Sequence, residues 1–364
     1  MKVALVYDHV NRIGGAERIL QSLHELYPDA PLYSCVYDQG GAPWAAEYTV
    51  HTSFLQKIPL AKKYHEFFPG LSLLAMESFD FSDFDVVISV TSCEGKAIIT
   101  APQTLHICYC LTPTRYLWSH YRDYFNQYIL KWLSMPMISM LRIWDMYASW
   151  RPDKFVAISD TVAQRINKYY QKSATIIFPP VDTGKFIPGN KRQDYYLIVS
   201  RLVKYKHIEL AINACNKLKR SLKIVGDGPQ KKYLQKLSGA TIEFAGNLTD
   251  ENLVKCFQEC RALIFPQNED FGISQVEALA CGCPVIAFKR GAALEVQVEG
   301  ITGEFFINQT TDSLIEALLK FEGKSYDENR LRQRSEKFAK IKFLQDFENL
   351  VKEEWSRRNR GQHL

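Results

Sequence analysis

The chain has 364 residues, of which 46% are apolar and 23% are charged, and a formal net charge of +5. This composition excludes an intrinsically disordered protein, and a chain of this length is expected to bury two hydrophobic cores, since one core rarely grows past roughly 250–300 residues. The mild positive charge suits anionic ligands such as nucleotide diphosphates or acidic lipid head groups and does not by itself indicate nucleic acid.

The start of the chain runs directly into an apolar stretch, Met1–Tyr7, without the charged and apolar regions of an export signal. No run of about 18 apolar residues occurs, so no membrane-spanning helix is expected. We therefore expect a cytoplasmic protein, with peripheral attachment to the inner face of the cell membrane left open. The nine cysteines are expected to be core thiols and no metal site is predicted, because no His lies at ligand spacing from their pairs.

Short apolar runs with helical stretches between them recur in both halves of the chain, as parallel strands covered on both faces require. The predicted strands of the first half are Lys2–Tyr7, Asp85–Val90, His106–Cys110, Lys154–Ile158 and Thr175–Phe178. Those of the second half are Tyr196–Ser200, Leu222–Val225, Thr241–Ala245, Ala262–Phe265 and Pro284–Ala287. Two such series predict an α/β fold with two Rossmann-like, doubly wound domains.

The boundary between the two series is predicted in Pro179–Asp194, which is rich in Pro and Gly and ends in a charged patch. We assign an N-terminal domain to residues 1–185 and a C-terminal domain to residues 190–339. The charged stretch after them carries an apolar stripe at helical spacing and is predicted to be a helix at about 340–364.

Two adjacent glycines, Gly14 and Gly15, follow the first predicted strand. Without side chains they let backbone N–H groups approach a ligand, and the next helix directs its positive N-terminus at the same place, so a phosphate fits. A plain strand-to-helix turn explains the pair equally well. The spacing is not Gly-x-Gly-x-x-Gly, so the dinucleotide fingerprint is absent.

Basic side chains follow the first strand of the second series. Arg201 comes just past its carboxyl end, the edge at which open α/β sheets bind ligands, and Lys206 lies five residues further on. A guanidinium fork and an ammonium group can hold one diphosphate together. The alternative is a solvated loop, since basic residues are common on loops.

The segment Phe265–Glu277 begins at a predicted strand end, turns through Gly272 and enters a helix. The carboxylates of Glu269 and Glu277 accept hydrogen bonds and suit a ligand rich in hydroxyl groups. The backbone amides of Phe271, Gly272 and Ile273 lie at the predicted helix start, where a phosphate is stabilised. The alternative is a helix whose acidic residues only complement its dipole.

Glu269 and Glu277 form a Glu-x7-Glu pattern that resembles the retaining GT-B glycosyltransferases of glycosyltransferase family four. Further pieces resemble the same family in the same order. They are Gly14-Gly15, Arg201 with Lys206, the run 225–229, the run 277–286 and the turn 300–303. Within this family, the sequence resembles the bacterial mannosyltransferases of surface polysaccharide assembly.

The resemblance implies a GT-B fold, in which two Rossmann-like domains face each other across a cleft. The N-terminal domain would bind the acceptor, with the C-terminal helix packing back on it, and the C-terminal domain would bind the nucleotide sugar. Arg201 and Lys206 would bind the diphosphate and stabilise the leaving group, with Glu269 positioning the donor sugar and Glu277 the ribose. The remaining implied donor contacts are Gly14, Gly15, Phe271, Gly272 and Ile273. No cofactor or metal is implied.

One segment departs from the family pattern. Relatives often carry a His after the strand that contains His106, and Leu111 stands in its place here. Leu forms no hydrogen bond, so that contact to the donor sugar is absent or supplied otherwise. His106 is predicted to be structural. Thr112 and Arg115 are candidates for the acceptor side, and a surface role for Arg115 carries equal weight.

Two stretches of the first half, Phe54–Leu71 and Tyr116–Trp150, mix aromatic and basic residues and suit the surface of an anionic membrane. For Trp144 and Trp150 core packing is the favoured interpretation. The predicted function is transfer of a sugar, mannose from GDP-mannose first and glucose from UDP-glucose second, to a glycan or lipid-linked acceptor. A nucleotide-sugar epimerase and a catalytically impaired nucleotide-sugar-binding protein are the alternatives. Nucleic acid is not an expected partner, because the basic residues form no stripe.

Overall fold

The structure is a computed structural model that describes residues 1–12, 14–59, 69–119, 121, 128–189 and 191–361. The chain divides into two compact units. Unit 1 comprises Met1–Phe178 and Phe343–Leu364, and unit 2 comprises Pro179–Lys342.

The described part of unit 1 contains a seven-stranded parallel sheet with the strand order β3-β2-β1-β4-β5-β6-β7. Its strands are β1 (Val3–Tyr7), β2 (Leu32–Ser34), β3 (Val50–Thr52), β4 (Val86–Thr91), β5 (Leu105–Cys110), β6 (Lys154–Ala157) and β7 (Ala174–Ile176). Its helices are α1 (Gly15–Leu26), α2 (Pro69–Glu77), α3 (Tyr128–Ala148) and α4 (Asp160–Tyr170).

The described part of unit 2 contains a six-stranded parallel sheet with the strand order β10-β9-β8-β11-β12-β13. Its strands are β8 (Tyr195–Val199), β9 (Ser221–Val225), β10 (Ile242–Gly246), β11 (Ala262–Phe265), β12 (Val285–Phe288) and β13 (Gly303–Phe306). Its helices are α5 (Ile208–Leu218), α6 (Lys231–Leu237), α7 (Asp250–Glu259), α8 (Ile273–Ala280), α9 (Ala293–Val296), α10 (Thr311–Glu322) and α11 (Glu328–Glu336). The last helix, α12 (Lys340–Gly361), begins in unit 2 and continues into unit 1.

The central strands are mainly apolar because helices cover both faces of a doubly wound sheet. Every residue of β4 and of β5 is buried. In unit 1, α12 packs against β5, where Phe343 and Phe347 lie 5.8 and 5.9 Å from the ring of Tyr109. Side-chain caps start several helices, as where Ser159 accepts a hydrogen bond of 3.2 Å from the amide of Val162 at the start of α4.

All ten strands predicted from the sequence are present, with ends that differ by at most two residues. Three strands escaped prediction: β2, β3 and β13. The first two have three residues each, too few for a recognisable apolar run. In β13 the apolar pattern is broken by Glu304, which is only 1% exposed and is neutralised by Lys320 and Lys324.

Each sheet has a switch point, a place where consecutive connections leave toward opposite edges. In unit 1 it lies between β1 and β4, and in unit 2 between β8 and β11. Ligands of open α/β sheets bind outside the carboxyl ends of the strands at such points. A ligand-binding site is therefore expected in the loops that follow β1, β4, β8 and β11.

Candidate active site

The switch point of unit 2 brings together two predicted site residues from loops 63 positions apart in the chain. Lys206 ends the 3-10 turn Lys204–Lys206 after β8, and Glu269 lies in the loop after β11. Their side chains form an ion pair and are each 14% exposed. Because this pair is largely withdrawn from water, its attraction is screened less than that of a surface pair.

Arg201, the second predicted cation, lies two residues beyond β8 with an exposed side chain. Its guanidinium makes no ion pair with any residue that the structure describes. The backbone next to it is fixed, because the amide of Leu202 donates to the carbonyl of Asp227 over 2.9 Å. This cation is thus positioned at the sheet edge and has no counter-ion in the part of the chain that the structure describes.

Two glycines after β9 let that backbone approach. A Cβ atom on Gly226, whose φ is +125°, would lie 2.1 Å from the carbonyl oxygen of Ser200. One on Gly228 would lie 2.4 Å from the carbonyl oxygen of Leu202. The run 225–229, which carried part of the family resemblance, therefore supports the loop that presents Arg201.

The loop after β11 turns sharply at Gly272, which has a φ of +83° and precedes the first residue of α8, Ile273. A Cβ atom there would lie 2.5 Å from the ring of Phe265. Phe271 is buried with its ring centre 5.7 Å from that of Phe338. Glu277 lies on α8 and is 3% exposed. The predicted amide donors thus stand at a helix N-terminus, where backbone N–H groups lack intrahelical partners.

The position of Glu269 depends on a glycine that the sequence analysis did not single out. Gly291, with a φ of +63°, follows β12, and a Cβ atom on it would lie 2.6 Å from the carbonyl oxygen of Glu269. The neighbouring amide of Ala292 donates to that same oxygen over 3.1 Å. The signal in the sequence is weak, a single glycine after a strand.

In unit 1, Gly14 precedes α1 in an extended conformation and Gly15 is its first residue; Ile13, between the same strand and helix, lies outside the described residues. The first turn of α1 also contains Glu17, which is 3% exposed and accepts a hydrogen bond of 2.7 Å from the hydroxyl of Tyr7. Burial, and then the charge of Glu17, raise the pKa of Tyr7. A carboxylate thus already offsets part of the positive potential of this helix end.

The loop after β4 contains functional candidates that the sequence analysis missed. Asp8, directly after β1, is 5% exposed and accepts hydrogen bonds from the hydroxyl of Thr91 at 2.6 Å and the amide of Gly95 at 2.7 Å. Glu94 and Lys96 in the same loop are 6% and 2% exposed. No local pattern indicated these residues, because the groups that Asp8 binds lie more than 80 positions away and Asp145, which pairs with Lys96, lies on another element.

The segment after β5 contains the predicted acceptor-side residues. Thr112 is 3% exposed and its hydroxyl accepts a hydrogen bond of 3.3 Å from Arg165, and Arg115 is half-buried. Leu111, in place of the family His, is half-buried and its amide donates to the carbonyl of Thr91. His106, which is predicted to be structural, is fully buried in β5. Its Nε2 lies 2.8 Å from the hydroxyl of Ser89, and burial lowers its pKa to about 3.

The nine cysteines are free thiols, and all except Cys93 are buried. Cys260, which follows the end of α7, places its sulfur 3.2 Å from that of Cys283, and both side chains are fully buried. Among the described residues no group of three or more His, Cys, Asp and Glu side chains could hold a metal ion.

The favoured interpretation of Trp144 and Trp150 as core residues is wrong. They are 39% and 57% exposed, and with Met140, Ile143 and Tyr147 they belong to an apolar face on α3 and the turn after it. The parts of the predicted membrane-facing stretches at 60–68, 120 and 122–127, and the side chains of 128–134, lie outside the described residues. Among the helices described, none combines the length and the apolar character needed to cross a membrane.

The fold of the chain is GT-B, defined by two Rossmann-like units with strand orders of the doubly wound type. It is similar over 97% of its length to the crystal structure of Anabaena Alr3699/HepE in complex with UDP and glucose. The TM-score is 0.70 at 17% sequence identity, and 99% of that chain is covered.

Within unit 2, residues 183–338 match the family described as "Glycosyl transferases group 1". The candidate residues from Arg201 to Glu277 lie within this match.

Two relatives are similar over part of the chain. The uncharacterized glycosyltransferase MJ1178 of Methanocaldococcus jannaschii is 24% identical over 199 residues, which cover 53% of this chain and 56% of the relative. A GDP-mannose-dependent alpha-mannosyltransferase of Corynebacterium glutamicum is 33% identical over 136 residues, which cover 34% of this chain and 33% of the relative. The chain spans about half the length of the first curated relatives it matches.

Proposed function

We propose that this protein is a retaining glycosyltransferase of family four that moves a sugar from a nucleoside diphosphate donor to a hydroxyl group of a glycan or lipid-linked acceptor. The observation that carries the proposal is the pairing of Lys206 with Glu269 at the switch point of unit 2, within the group 1 domain. At this point a cation that can bind phosphate contacts a carboxylate that can bind sugar hydroxyls. The exposed Arg201 lies in the same loop as Lys206, after β8.

The diphosphate binds Arg201 and Lys206 in this mechanism. Arg201 offers a planar fork of donors and is not paired with a carboxylate of any described residue, whereas Lys206 turns from Glu269 toward the phosphate as the donor enters. Both cations then stabilise the negative charge that builds on the leaving diphosphate, in a site partly shielded from water. Further contacts come from Glu277 to the ribose and from the backbone amides of Phe271, Gly272 and Ile273. In unit 1, the amides of Gly14 and Gly15 are candidates for contacts to a phosphate.

Glu269 acts as a positioning group for the donor sugar. As Lys206 leaves it, the carboxylate becomes available to accept hydrogen bonds from sugar hydroxyls. The acceptor oxygen bonds to the anomeric carbon on the face from which the diphosphate departs. The acceptor's proton passes to the departing phosphate oxygen, so that configuration is retained without a covalent enzyme intermediate. Thr112 and Arg115 remain candidates for the acceptor side of unit 1.

We favour GDP-mannose as the donor and UDP-glucose as the second choice. A relative named as GDP-mannose-dependent supports the first and a GT-B structure in complex with UDP and glucose supports the second, both as similarities. Because two cations of the chain serve the diphosphate, the proposed transfer needs neither a cofactor nor a divalent metal.

The acceptor side is proposed to work at a membrane surface. Across residues 135–150, all of which the structure describes, the exposed positions are apolar or aromatic apart from Ser139, and none is charged. Aromatic residues on such a face suit the boundary between lipid head groups and acyl chains. We therefore propose a peripheral protein whose acceptor is carried by an anionic bilayer.

A nucleotide screen tests the donor site of the full chain. GDP at 100 times its dissociation constant is expected to stabilise the protein by about 2.7 kcal/mol, and a nucleotide that does not bind leaves the melting temperature unchanged. Stabilisation by neither GDP nor UDP would contradict the proposal. Release of the nucleotide from GDP-mannose or UDP-glucose is then followed with and without EDTA, and we expect EDTA to have no effect.

Assays with the same nucleotide sugars distinguish a transferase from an epimerase and from a protein that only binds nucleotide sugars. An epimerase converts the donor sugar without an acceptor and releases no nucleotide, whereas a transferase releases nucleotide faster when a membrane extract supplies acceptor. A protein that only binds nucleotide sugars does neither. Product anomers, assigned by NMR, decide between retention and inversion.

A further inference from the structure

The loop after β4 holds a buried carboxyl group that has no role in the proposed transfer. Glu94 directly precedes the 3-10 turn Gly95–Ala97, three residues beyond β4. Because β4 pairs with β1 at the switch point of unit 1, this loop lies at the edge where such sheets bind ligands.

The loop is held in place by Asp8. Its Oδ1 accepts from Thr91 and from the amide of Gly95, and its Oδ2 accepts from the amides of Ser92 at 2.8 Å and Cys93 at 3.1 Å. Both oxygens of Asp8 are thereby occupied. The backbone that carries Glu94 is tied to the end of β1 on either side of the residue.

Lys96, two residues further on, does not neutralise Glu94. Its ammonium group forms an ion pair of 2.6 Å with Asp145 of α3 and donates to the hydroxyl of Thr114 and the carbonyl of Cys93. Glu94 is only 6% exposed, and its Oε2 has no hydrogen-bond partner among the described residues. Buried polar atoms are nearly always paired, so an orphaned carboxyl oxygen at a ligand-binding edge indicates a missing partner.

The surroundings restrict the chemistry of that partner. The charged and titratable groups around Glu94 are Asp8 after β1, Cys35 after β2, Cys93 and Lys96 in its own loop, Tyr116 after β5 and Asp145 on α3. Burial, followed by the charge of Asp8, raises the pKa of Glu94 to about 8 against the opposing effect of Lys96. A protonated carboxyl both donates and accepts hydrogen bonds, as an alcohol does.

We infer that Glu94 is a hydroxyl-binding residue of unit 1, whose orphaned Oε2 accepts a hydrogen bond from an alcohol group of a bound sugar. A phosphate is disfavoured, because Asp8 and Asp145 add negative charge nearby. A metal ion would need further ligands, and no suitable cluster exists among the described residues. The identification of this sugar as the acceptor rests on the proposed function, whereas the binding role of Glu94 does not.

The test uses the full chain and two simple sugars, methyl α-mannoside and methyl α-glucoside, with binding followed by saturation-transfer NMR. Glu94→Leu fills a similar space without hydrogen bonding, and we expect affinity for at least one glycoside to fall about tenfold or more. Glu94→Gln keeps a carbonyl oxygen and is expected to remain within about threefold of the wild type. Glu47→Gln, at an exposed glutamate of the same unit, serves as the matched control and binds as the wild type does.

Stability distinguishes a binding residue from a structural one. Glu94→Leu removes a buried polar group that lacks a partner, so its melting temperature is expected to equal or exceed that of the wild type. If Glu94→Leu proves less stable, Glu94→Gln decides, because retained glycoside affinity supports the inference and lost affinity overturns it. Unchanged affinity in Glu94→Leu, or no glycoside binding by the wild type, also overturns it.

Nucleotide binding separates this inference from the proposed function. Glu94→Leu is expected to leave stabilisation by GDP or UDP unchanged. If the wild type binds a glycoside through Glu94 but no nucleotide stabilises it, glycosyl transfer fails while the hydroxyl-binding role stands.

Discussion

Lys96 and Asp145 form an ion pair of 2.6 Å between side chains that are only 2% and 5% exposed. The oxygens of Asp145 also accept hydrogen bonds from Thr114 at 2.6 Å, Trp118 at 2.7 Å and Tyr170 at 2.8 Å. One buried carboxylate therefore connects the loop after β4, the segment after β5, α3 and α4. Burial acts to lower the pKa of Lys96, but Asp145 and Tyr170 more than offset it and the pKa lies above its ordinary value.

Lys96→Met is expected to destabilise the protein by about 3–5 kcal/mol, because it leaves the charge of Asp145 buried without its cation. Urea unfolding measures the change. A Lys96→Met, Asp145→Leu double variant should recover part of the loss, since the unpaired charge is removed as well. Lys217→Met breaks an exposed pair with Asp312 and is the matched control, with little expected change. A loss in Lys96→Met no larger than in this control would show that the buried pair does not stabilise the fold.

Lys206→Met is expected to lower kcat for sugar transfer by about 10²- to 10³-fold, the usual effect of losing one group that stabilises transition-state charge. Lys206→Arg keeps the cation and should lose less. The fold should change little, because the ion pair with Glu269 joins two loops at the sheet edge. Lys185→Met, which breaks an exposed pair with Asp250, is the control. Equal turnover in Lys206→Met and wild type would remove Lys206 from the mechanism.

Gly291→Ala is expected to impair turnover by displacing Glu269, since the added Cβ would lie 2.6 Å from its carbonyl oxygen. Gly246→Ala is a close control. Gly246 has a φ of +67°, near the +63° of Gly291, but a Cβ there meets no atom within 4 Å. Both substitutions are expected to lower the free energy of unfolding by about 1 kcal/mol or more, because alanine is strained at a positive φ. Only Gly291→Ala should also lower kcat, and equal kinetics in the two variants would contradict the positioning role.

The fold was largely predictable from the sequence because most strands are short apolar runs that can be recognised locally. Runs such as Val86–Thr91 are mainly apolar, without the alternation of a half-exposed strand, and every residue of this one is buried. The strand that carries Glu304 was missed because its buried charge is neutralised by lysines of another helix, which no strand pattern encodes. The same limit applies to the site. Asp8 and Gly95 meet across 87 positions, so their contact is visible only after folding.

The solvent exposure of a large aromatic side chain also cannot be predicted from its residue type. Trp144 and Trp150 suit a core and a membrane surface equally well, since large aromatic side chains serve both. Which face of α3 meets the sheet is decided by its packing, which buries Ile138 and Leu141 and leaves both tryptophans outside.

His106 should make the protein sensitive to acid. Its pKa in the folded state, about 3, lies below the ordinary value of 6.5, so below pH 6.5 the unfolded chain binds a proton that the folded protein does not. The stability present above pH 6.5 is lost as the pH falls toward 3, by up to about 1.4 kcal/mol per pH unit. Urea unfolding between pH 7 and 4 should show a shallower slope for His106→Asn. His51→Asn, at an exposed histidine, should keep the wild-type slope, and equal slopes in all three proteins would contradict the assignment.

The apolar face of α3 predicts binding to anionic vesicles. Met137, Met140, Trp144 and Tyr147 recur at helical spacing and are all exposed, while the only acid between 135 and 150, Asp145, is buried and paired. Leu74 of α2 extends the face, because Gly70, one turn before it, lies against Trp144. No acidic side chain is thus exposed on this stretch of α3 to repel negatively charged lipid, and several large apolar groups are available for insertion.

Co-sedimentation with vesicles of anionic lipid at low salt measures this binding. A Met140→Ser, Trp144→Ser double variant should bind at least about tenfold more weakly, since two large apolar groups no longer leave water. An Ile307→Ser, Leu319→Ser variant removes two exposed apolar side chains from unit 2 and should bind as the wild type does. If the wild type does not sediment with vesicles, the membrane proposal is wrong. It is also wrong if the wild type is a dimer that the α3 variant dissociates, because a second copy of the chain then covers this face.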